Sequence, residues 1–198
     1  MTNRTFIILI TVLGAIFIAA LGTGAWIVTQ SQKGADQGSS LVGGPFTLTD
    51  HTGKTVTEAD FSDSYKIVYF GYTYCPDICP TGLTVITEAL DQLGDDARDV
   101  KPLFITVDPA RDTVEIMAEY HQHFHESFSN LTGTPKQIAD VARAYRVFYQ
   151  KTADSGDDAY LMDHSAVTYL MAPGGGLLAH FGMEATPEQL AKAIRDVL

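Results

Sequence analysis

The chain is poor in cysteine and in basic residues. Its 198 residues include two cysteines, and 13 lysines and arginines stand against 24 aspartates and glutamates, which gives a formal net charge of −11. Two cysteines are too few for a fold that depends on several disulfides. The acidic balance excludes a surface specialised for nucleic acid or for anionic lipid head groups. It favours a basic partner surface or a cation as the ligand.

The two cysteines lie close together in the sequence GYTYCPDICP, residues 71–80. Three residues separate Cys75 from Cys79, whereas two separate the cysteines of a thioredoxin-type redox pair. A disulfide across so short a loop stabilises a fold less than one that closes a long loop. The pair is therefore better suited to thiol exchange or to metal binding, and two soft thiolates suit Cu(I), Zn(II) or an iron–sulfur site. A structural zinc site has four ligands, so a metal here needs a further ligand from elsewhere in the chain.

One long apolar run lies at the N-terminus. Residues 6–28 carry no charged side chain and, at about 1.5 Å per residue, are long enough to cross a hydrocarbon core of about 30 Å. We predict a single transmembrane helix here, with residues 1–5 in the cytoplasm because Arg4 marks that side. A cleaved signal peptide is the alternative interpretation. Residues 29–42 are polar and rich in glycine and serine, which predicts a flexible linker to an extracytoplasmic domain at residues 43–198.

The domain alternates between strand and helix patterns. Apolar runs and turn signals predict strands and hairpins over residues 45–61, 65–74, 100–108, 164–173 and 177–182. Helical spacing and capping residues predict helices over residues 83–94, 112–124, 134–149 and 186–198. The second of these helices is predicted to begin with a capping box formed by Asp112 and Glu115. Strands that alternate with helices indicate an α/β domain with a mostly parallel sheet and an antiparallel hairpin at its end.

The position of the cysteine loop predicts its geometry. Cys75 follows an apolar strand, so the loop lies at the carboxyl edge of the sheet, where reactive groups tend to collect. Pro80 cannot donate a helical hydrogen bond, so we predict that it is the first residue of a helix, with Cys79 at the N-cap. The helix dipole favours a thiolate there, and the two sulfurs could converge on one point.

Histidines are the candidates for a third ligand. His121, His123 and His125 recur at a spacing of two, which spreads them around a helix and indicates a solvated helix end. His164 is different because it begins an apolar stretch and follows Asp163, a carboxylate that could orient its ring. The residues alone leave two interpretations of His164 open, a metal ligand and a buried structural histidine.

Four motifs occur in order after the apolar run, and together they resemble a known family. They are YCPDICP, VDPARDT, LTGT and DHSAVTYLMAP. This pattern closely resembles the Sco/SenC family of membrane-anchored copper proteins, and the match runs from about residue 43 to residue 198. The resemblance implies a thioredoxin-like fold, in which helices flank a central mixed sheet and a β-hairpin is added at the N-terminal end.

The resemblance also implies roles for individual residues. Cys75, Cys79 and His164 are expected to bind copper, as Cu(I) and as Cu(II). Asp163 is expected beside the ligand histidine, and Asp108 of VDPARDT near the site as a structural or partner-facing acid. The family helps to assemble the binuclear copper centre of cytochrome c oxidase subunit II. It does so by delivering copper, by reducing the cysteines of that centre, or by both.

These expectations leave three functions open, a copper metallochaperone, a thiol–disulfide oxidoreductase, and a redox or copper sensor that the sequence does not separate from the chaperone. The chaperone needs Cys75, Cys79 and His164, whereas the oxidoreductase needs the two cysteines alone as its redox pair. The expected partners are subunit II of the oxidase, an upstream copper donor and a thiol reductant, and no nucleic acid. The absence of an arginine-rich leader favours a bacterial inner membrane, with the domain in the periplasm, over the mitochondrial inner membrane.

Overall fold

In the computed structural model of the chain, residues 41–152 and 160–198 are described, and all of them belong to one unit, Ser39–Leu198. The strands in these residues are β1 (Thr47–Asp50), β2 (Thr55–Thr57), β3 (Tyr65–Gly71), β4 (Val100–Thr106), β5 (Ser129–Thr132), β6 (Tyr149–Lys151), β7 (Met162–His164), β8 (Thr168–Met171) and β9 (Leu177–Phe181). The α-helices are α1 (Ile78–Leu93), α2 (Val114–His121), α3 (Pro135–Ala144) and α4 (Pro187–Arg195). Short 3₁₀ helices follow β2 and α1.

A seven-stranded sheet lies at the centre, in the order β2-β1-β5-β4-β3-β8-β9. Strand β4 runs parallel to its neighbours β3 and β5. The other neighbouring pairs are antiparallel: β1 with β2, β1 with β5, β3 with β8, and β8 with β9. The predicted mixed sheet with flanking helices and an N-terminal hairpin, formed by β1 and β2, is confirmed. The prediction of a mostly parallel sheet is wrong, because only the pairs that β4 forms with β3 and β5 are parallel.

Strand β3 is the central element that positions the cysteine loop. Ile67, Val68 and Phe70 are fully buried, as in a strand that is covered on both faces. Because β3 ends at Gly71, the loop with Cys75 emerges from the middle of the sheet at its carboxyl edge. Helix α1 starts directly after this loop and packs against α4. The rigid core therefore fixes both ends of the loop.

Three strand predictions differ from the structure, and one of them is β6, which was not predicted and begins where the sequence predicted the end of a helix. Strand β5 was not predicted because its sequence, SNLT, has no apolar run, although Leu131 is fully buried. The predicted strand at residues 164–173 is two strands in different sheets. Strand β8 joins the central sheet, whereas β7 pairs with β6 in a separate two-stranded sheet. His164, the last residue of β7, is therefore carried outside the central sheet.

Helix boundaries follow the capping residues, with two corrections. The N-cap of α2 is Thr113, whose side chain accepts a hydrogen bond from the Ile116 amide, so the predicted capping role of Asp112 is wrong. Asp112 instead turns inward, where its carboxylate bonds other groups. Thr134 caps α3 as predicted, but the helix ends at Ala144 rather than at residue 149. Arg146 has a φ of 60°, a left-handed conformation in which a helix cannot continue.

The predictions for the N-terminal segment fall outside the described residues. These are the cytoplasmic residues 1–5, the transmembrane helix at 6–28 and all but the last two residues of the linker at 29–42. Within residues 41–152 and 160–198, no helix is both long and apolar enough to cross a bilayer.

A buried lysine ties the hairpin region to the central strand. Lys66 of β3 is fully buried, and its ammonium group lies 3.1 Å from a carboxylate oxygen of Glu58, which follows β2. It also donates to the carbonyl oxygens of Phe61 and Ala172, at 3.3 and 3.4 Å. A buried charge is stable only when it is paired and hydrogen-bonded, so the fold depends on Glu58 more than on an ordinary surface acid.

We predict that Glu58→Gln lowers the free energy of unfolding by roughly 3 kcal/mol, because it leaves the Lys66 charge buried without its counter-ion. Lys66→Met should lower it less, since it removes the charge and fills a similar volume. Urea denaturation of the full chain in detergent, followed by circular dichroism, measures both. Lys136→Met is the control, because its pair with Asp140 is exposed and should contribute no more than about 1 kcal/mol. Equal losses for Glu58→Gln and Lys136→Met would contradict the prediction.

Candidate metal centre

Two segments bring the three predicted ligands together. Cys75 and Cys79 belong to the loop after β3 and the first turn of α1, and His164 ends β7. The Cys79 Sγ lies 3.5 Å from His164 Nε2, and the Cys79 amide donates to Cys75 Sγ at 3.4 Å. Both thiols are free, Cys79 being fully buried and Cys75 half-buried. Residues 85 positions apart in the sequence therefore meet at one point.

The start of α1 differs slightly from the prediction. The helix begins at Ile78, with Asp77 at the N-cap, so Cys79 is the second helical residue and Pro80 the third. Proline is tolerated here because the first four amides of a helix have no partner within the helix. Because the helix starts earlier than predicted, the buried Cys79 sits inside its first turn and its position is fixed by the helix.

Gly71 makes room for the Cys79 sulfur, a role that we did not predict from the sequence. A Cβ atom at this position would lie 2.7 Å from Cys79 Sγ and 3.0 Å from the Phe104 ring. The 2.7 Å contact is too short for real atoms and the 3.0 Å contact is tight, so a larger residue at the end of β3 would displace the Cys79 sulfur. A glycine that closes an apolar strand just before a cysteine loop is a signal of this close approach.

His164 is carried by a small hairpin that we call the histidine arm, residues 148–152 and 160–165. Within it, His164 pairs with Tyr149 across the β6–β7 ladder. The ring Nδ1 lies 3.3 Å from the Met162 carbonyl oxygen, and the ring meets Tyr72 edge-on with centroids 5.7 Å apart. Asp163 is exposed. The Met162 carbonyl, not the expected Asp163 carboxylate, is the group near Nδ1.

The buried carboxylate of Asp112 holds the cysteine loop. It accepts hydrogen bonds from the Thr73 amide at 3.1 Å, the Thr73 hydroxyl at 2.6 Å and the Thr106 hydroxyl at 2.5 Å. Burial raises the pKa of Asp112, and these hydrogen bonds oppose the rise. Because Thr73 is two residues before Cys75, the carboxylate fixes the backbone that enters the site.

Asp108, the other predicted acid, is 4% exposed and lies below the surface. Its carboxylate pairs with Arg111 Nε at 2.5 Å and accepts a hydrogen bond from the Tyr160 hydroxyl at 2.8 Å. This burial favours the structural interpretation of Asp108 over the partner-facing one. Arg111 and Tyr160 were not singled out in the sequence, although the VDPARDT motif contains the arginine.

The remaining histidines of the predicted helix end are engaged elsewhere. The His121 ring stacks on the His51 ring with centroids 4.0 Å apart. His125 Nδ1 contacts the Ser127 hydroxyl at 2.7 Å. These contacts give His121 and His125 local structural partners, away from the cysteines.

The pKa values of the two thiols are shifted in opposite directions. A hydrogen bond with the Cys79 side chain, helped by the Asp77 and Cys79 amides and by His164, lowers the pKa of the Cys75 thiol to about 5, although burial opposes the change. The same thiol–thiol hydrogen bond, together with burial, raises the pKa of Cys79. Cys75 is therefore the more acidic thiol, and the prediction that the helix dipole favours a thiolate at Cys79 is wrong, because burial and the hydrogen bond with Cys75 outweigh the dipole.

The donor set fits a soft, thiophilic metal ion. Sulfur and nitrogen ligands bound at about 2.3 and 2.0 Å to one tetrahedral ion lie about 3.5 Å apart, which is the observed Cys79–His164 distance. In the part of the chain that the structure describes, no group of three or more His, Cys, Asp or Glu side chains is already arranged to hold a metal ion. The structure brings Cys79 and His164 within metal-binding distance of each other, and the Cys75 sulfur lies beside the Cys79 amide.

A cavity of about 630 Å³ connects the site with solvent. Its walls include Cys75 and His164, and its acidic residues are Asp77, Asp163 and Glu184. Among the described residues that line it there is no lysine or arginine. The approach to the site therefore attracts cations and basic surfaces.

Comparisons with known proteins agree with the sequence motifs. The family model described as SCO1/SenC matches residues 34–198. The protein SenC of Rhodobacter capsulatus is 44% identical over 163 residues, which cover 82% of this chain and 73% of that protein. The mitochondrial SCO1 homolog 1 of Arabidopsis thaliana is 42% identical over 164 residues, 82% of this chain and 49% of that protein, so the chain spans about half of its length. The structure of Bradyrhizobium japonicum ScoI with copper bound is 42% identical, with a TM-score of 0.74, and covers 79% of this chain and 99% of that chain.

We predict that Cys75 alkylates with an apparent pKa near 5, because only the thiolate reacts and Cys75 is ionised above that pH. Cys79 should stay unmodified across the same range. The measurement is the rate of iodoacetamide modification of the reduced full chain between pH 4 and pH 9, with the site mapped by mass spectrometry. Cys79→Ala removes the hydrogen bond and should move the midpoint upward. A wild-type midpoint near 8.5, the ordinary cysteine value, would contradict the assignment.

Proposed function

Because the chain belongs to the SCO1/SenC family, we propose that it is a copper metallochaperone that binds copper through Cys75, Cys79 and His164. The observation that carries the proposal is the 3.5 Å approach of Cys79 Sγ to His164 Nε2, from two separate parts of the chain. The copper in the related ScoI structure supports the choice of metal. The recipient is then the binuclear copper centre of cytochrome c oxidase subunit II, as the family resemblance implies.

The donor chemistry supports copper in both oxidation states. Two thiolates suit Cu(I), and an imidazole ligand also suits Cu(II). Ligand cysteines must be deprotonated, so the already ionised Cys75 is ready to bind, whereas Cys79 releases its proton on binding. Three ligands beside an open cavity leave one side of the ion accessible, and a recipient thiol or imidazole can exchange with them there.

A second function is favoured by the unequal thiols. A half-buried thiolate beside a buried thiol is the arrangement of a nucleophilic and a resolving cysteine in thiol–disulfide exchange. In this role the protein reduces the cysteines of the oxidase copper site or of other exported proteins. The oxidoreductase does not need His164, so that residue separates the two functions.

The partners follow from charge and location. The carboxylates of Asp77, Asp163 and Glu184 at the cavity fit a basic surface on the recipient and on the upstream copper donor. A thiol reductant is required because the cysteines bind copper only when reduced. We place the chain in a bacterial inner membrane, anchored by residues 6–28 with the domain in the periplasm. The family includes relatives from bacteria and from mitochondria.

We predict that the reduced full chain binds one Cu(I) tightly and that His164→Ala weakens binding by more than about 100-fold, since loss of a ligand exceeds the effect of losing a residue that only supports one. A competition titration against a chromophoric Cu(I) chelator, in detergent and without oxygen, measures the affinity. His180→Ala is the matched control, because His180 is an exposed histidine on β9. If His164→Ala binds like the wild type, the chaperone proposal fails and the oxidoreductase takes its place.

We also predict that a Cys75–Cys79 disulfide abolishes tight copper binding, because it consumes both thiolates. The oxidised chain is isolated and its disulfide is confirmed by mass spectrometry. A competition titration is then run with Cu(II) against a Cu(II) chelator, since Cu(I) could reduce the disulfide. Reduction of that sample should restore binding. Tight copper binding by the oxidised chain would contradict the prediction that the disulfide and bound copper exclude each other.

A further inference from the structure

The histidine arm has its own small sheet, so its position relative to the cysteines needs a separate explanation. The hydrogen bonds of β6 and β7 join the two sides of the arm to each other. The contacts of Phe148 with Ser165 and of Thr152 with Leu161 are also internal to it. These bonds shape the arm but do not attach it to the core. The site depends on how the arm is held against the cysteine loop.

Two residues of the arm, Tyr149 and Met162, pack against the hydrophobic core. The polar attachment of the arm is made at Tyr160, in the segment that leads to His164. The Tyr160 hydroxyl donates to Asp108 Oδ1 at 2.8 Å, and its carbonyl oxygen accepts from Arg111 Nη1 at 2.8 Å. The Arg111 guanidinium also lies 3.6 Å from the centre of the Tyr160 ring. We call these three residues, Asp108, Arg111 and Tyr160, the clasp. It joins the arm to the loop between β4 and α2.

The clasp is buried, which strengthens its contacts. Tyr160 is 6% exposed and Asp108 4%, and the Arg111 side chain is 19% exposed. An ion pair and a hydrogen bond to a carboxylate are less screened here than at the surface. Tyr160 is buried without belonging to the main hydrophobic cluster, so its burial is against the clasp rather than in the core.

The clasp also reaches the cysteine side of the site. The Arg111 guanidinium lies 4.6 Å from the Tyr74 ring and 5.7 Å from the Tyr72 ring, two residues that precede Cys75. The Tyr72 ring in turn meets the His164 ring edge-on. The Arg111 guanidinium therefore contacts aromatic rings of both the cysteine loop and the histidine arm.

We propose that Asp108, Arg111 and Tyr160 are positioning residues that hold His164 over the two cysteines and so set the copper affinity without binding the metal. This inference rests on the proposed copper-binding function. Arg111 spans the arm and the loop because its planar guanidinium donates in two directions at once, to Asp108 and to the Tyr160 carbonyl. Without the clasp, the cysteines remain in place and the histidine has to be ordered by the metal itself.

Tyr160→Phe is the mild test, because it removes one hydroxyl and keeps the ring. We expect Cu(I) affinity to fall roughly tenfold, as for the loss of a hydrogen bond to a charged group. Arg111→Lys keeps the positive charge but loses the planar guanidinium that donates to two partners at once, and it should weaken copper binding at least as much. The control is Tyr65→Phe, which removes another tyrosine hydroxyl bond, to the Val197 carbonyl, at the far end of β3. It should leave the affinity unchanged.

A general loss of stability would lower copper affinity with or without His164. A loss of positioning should lower it only when His164 is present. In a His164→Ala background, Tyr160→Phe should have no further effect on copper affinity, because the clasp acts through that ring. The reduction potential of the Cys75–Cys79 pair should be unchanged in Tyr160→Phe. An equal loss of affinity with and without His164, or no loss at all, would overturn the proposal.

Hydrogen exchange of the metal-free, reduced chain tests the clasp independently of copper. Tyr160→Phe should speed exchange of the amides at residues 148–151 and 160–165 and leave those of α1 unchanged. No change in the arm would refute the clasp, whatever the copper titration gives. Faster exchange in the arm, with wild type and His164→Ala binding copper alike, would instead remove the copper function and keep the clasp as a structural contact only.

Discussion

The candidate site depends on one loop, residues 107–113, because that loop contacts both segments that carry its ligands. The Asp112 carboxylate bonds Thr73 in the cysteine loop, while Asp108 and Arg111 bond Tyr160 in the histidine arm. The loop is itself fixed, since the Val107 amide donates to the Gly71 carbonyl and the Asp112 carbonyl accepts from Thr132. A buried carboxylate destabilises a fold unless its oxygens accept hydrogen bonds. The carboxylates of Asp108 and Asp112 therefore depend on the donors that the two ligand-bearing segments and the loop itself supply.

Sequence reasoning succeeded where the signal is local. The apolar run of β3 and the Thr134 cap of α3 are readable within a few residues, and both are present in the structure. The motif resemblance also named His164, which local patterns left undecided. The strand and the helix cap reflect propensity, periodicity and capping, which act over a few neighbouring residues.

The remaining features depend on contacts between distant segments. Asp112 resembles a helix cap in the sequence, but two threonines from other segments draw its carboxylate inward. Gly71 is required only because α1 places Cys79 against it. The stretch at residues 164–173 looks like one strand, yet it divides because β7 finds its partner in β6 instead of in the central sheet. No periodicity within a single segment contains this information.

The unequal thiols and the separate arm together suit a site that must both bind and release. Cys79 is fully buried in the first turn of α1, and Asp112 bonds the loop that carries Cys75, so the fold constrains the sulfur side of the site. The imidazole sits on a small sheet that packs on the core through Tyr149 and Met162 and is positioned by the polar contacts of the clasp. Loss of those contacts withdraws one ligand without unfolding the domain, because local elements open at a lower free energy than the core. Affinity can then be adjusted through the clasp while the ligands themselves stay the same.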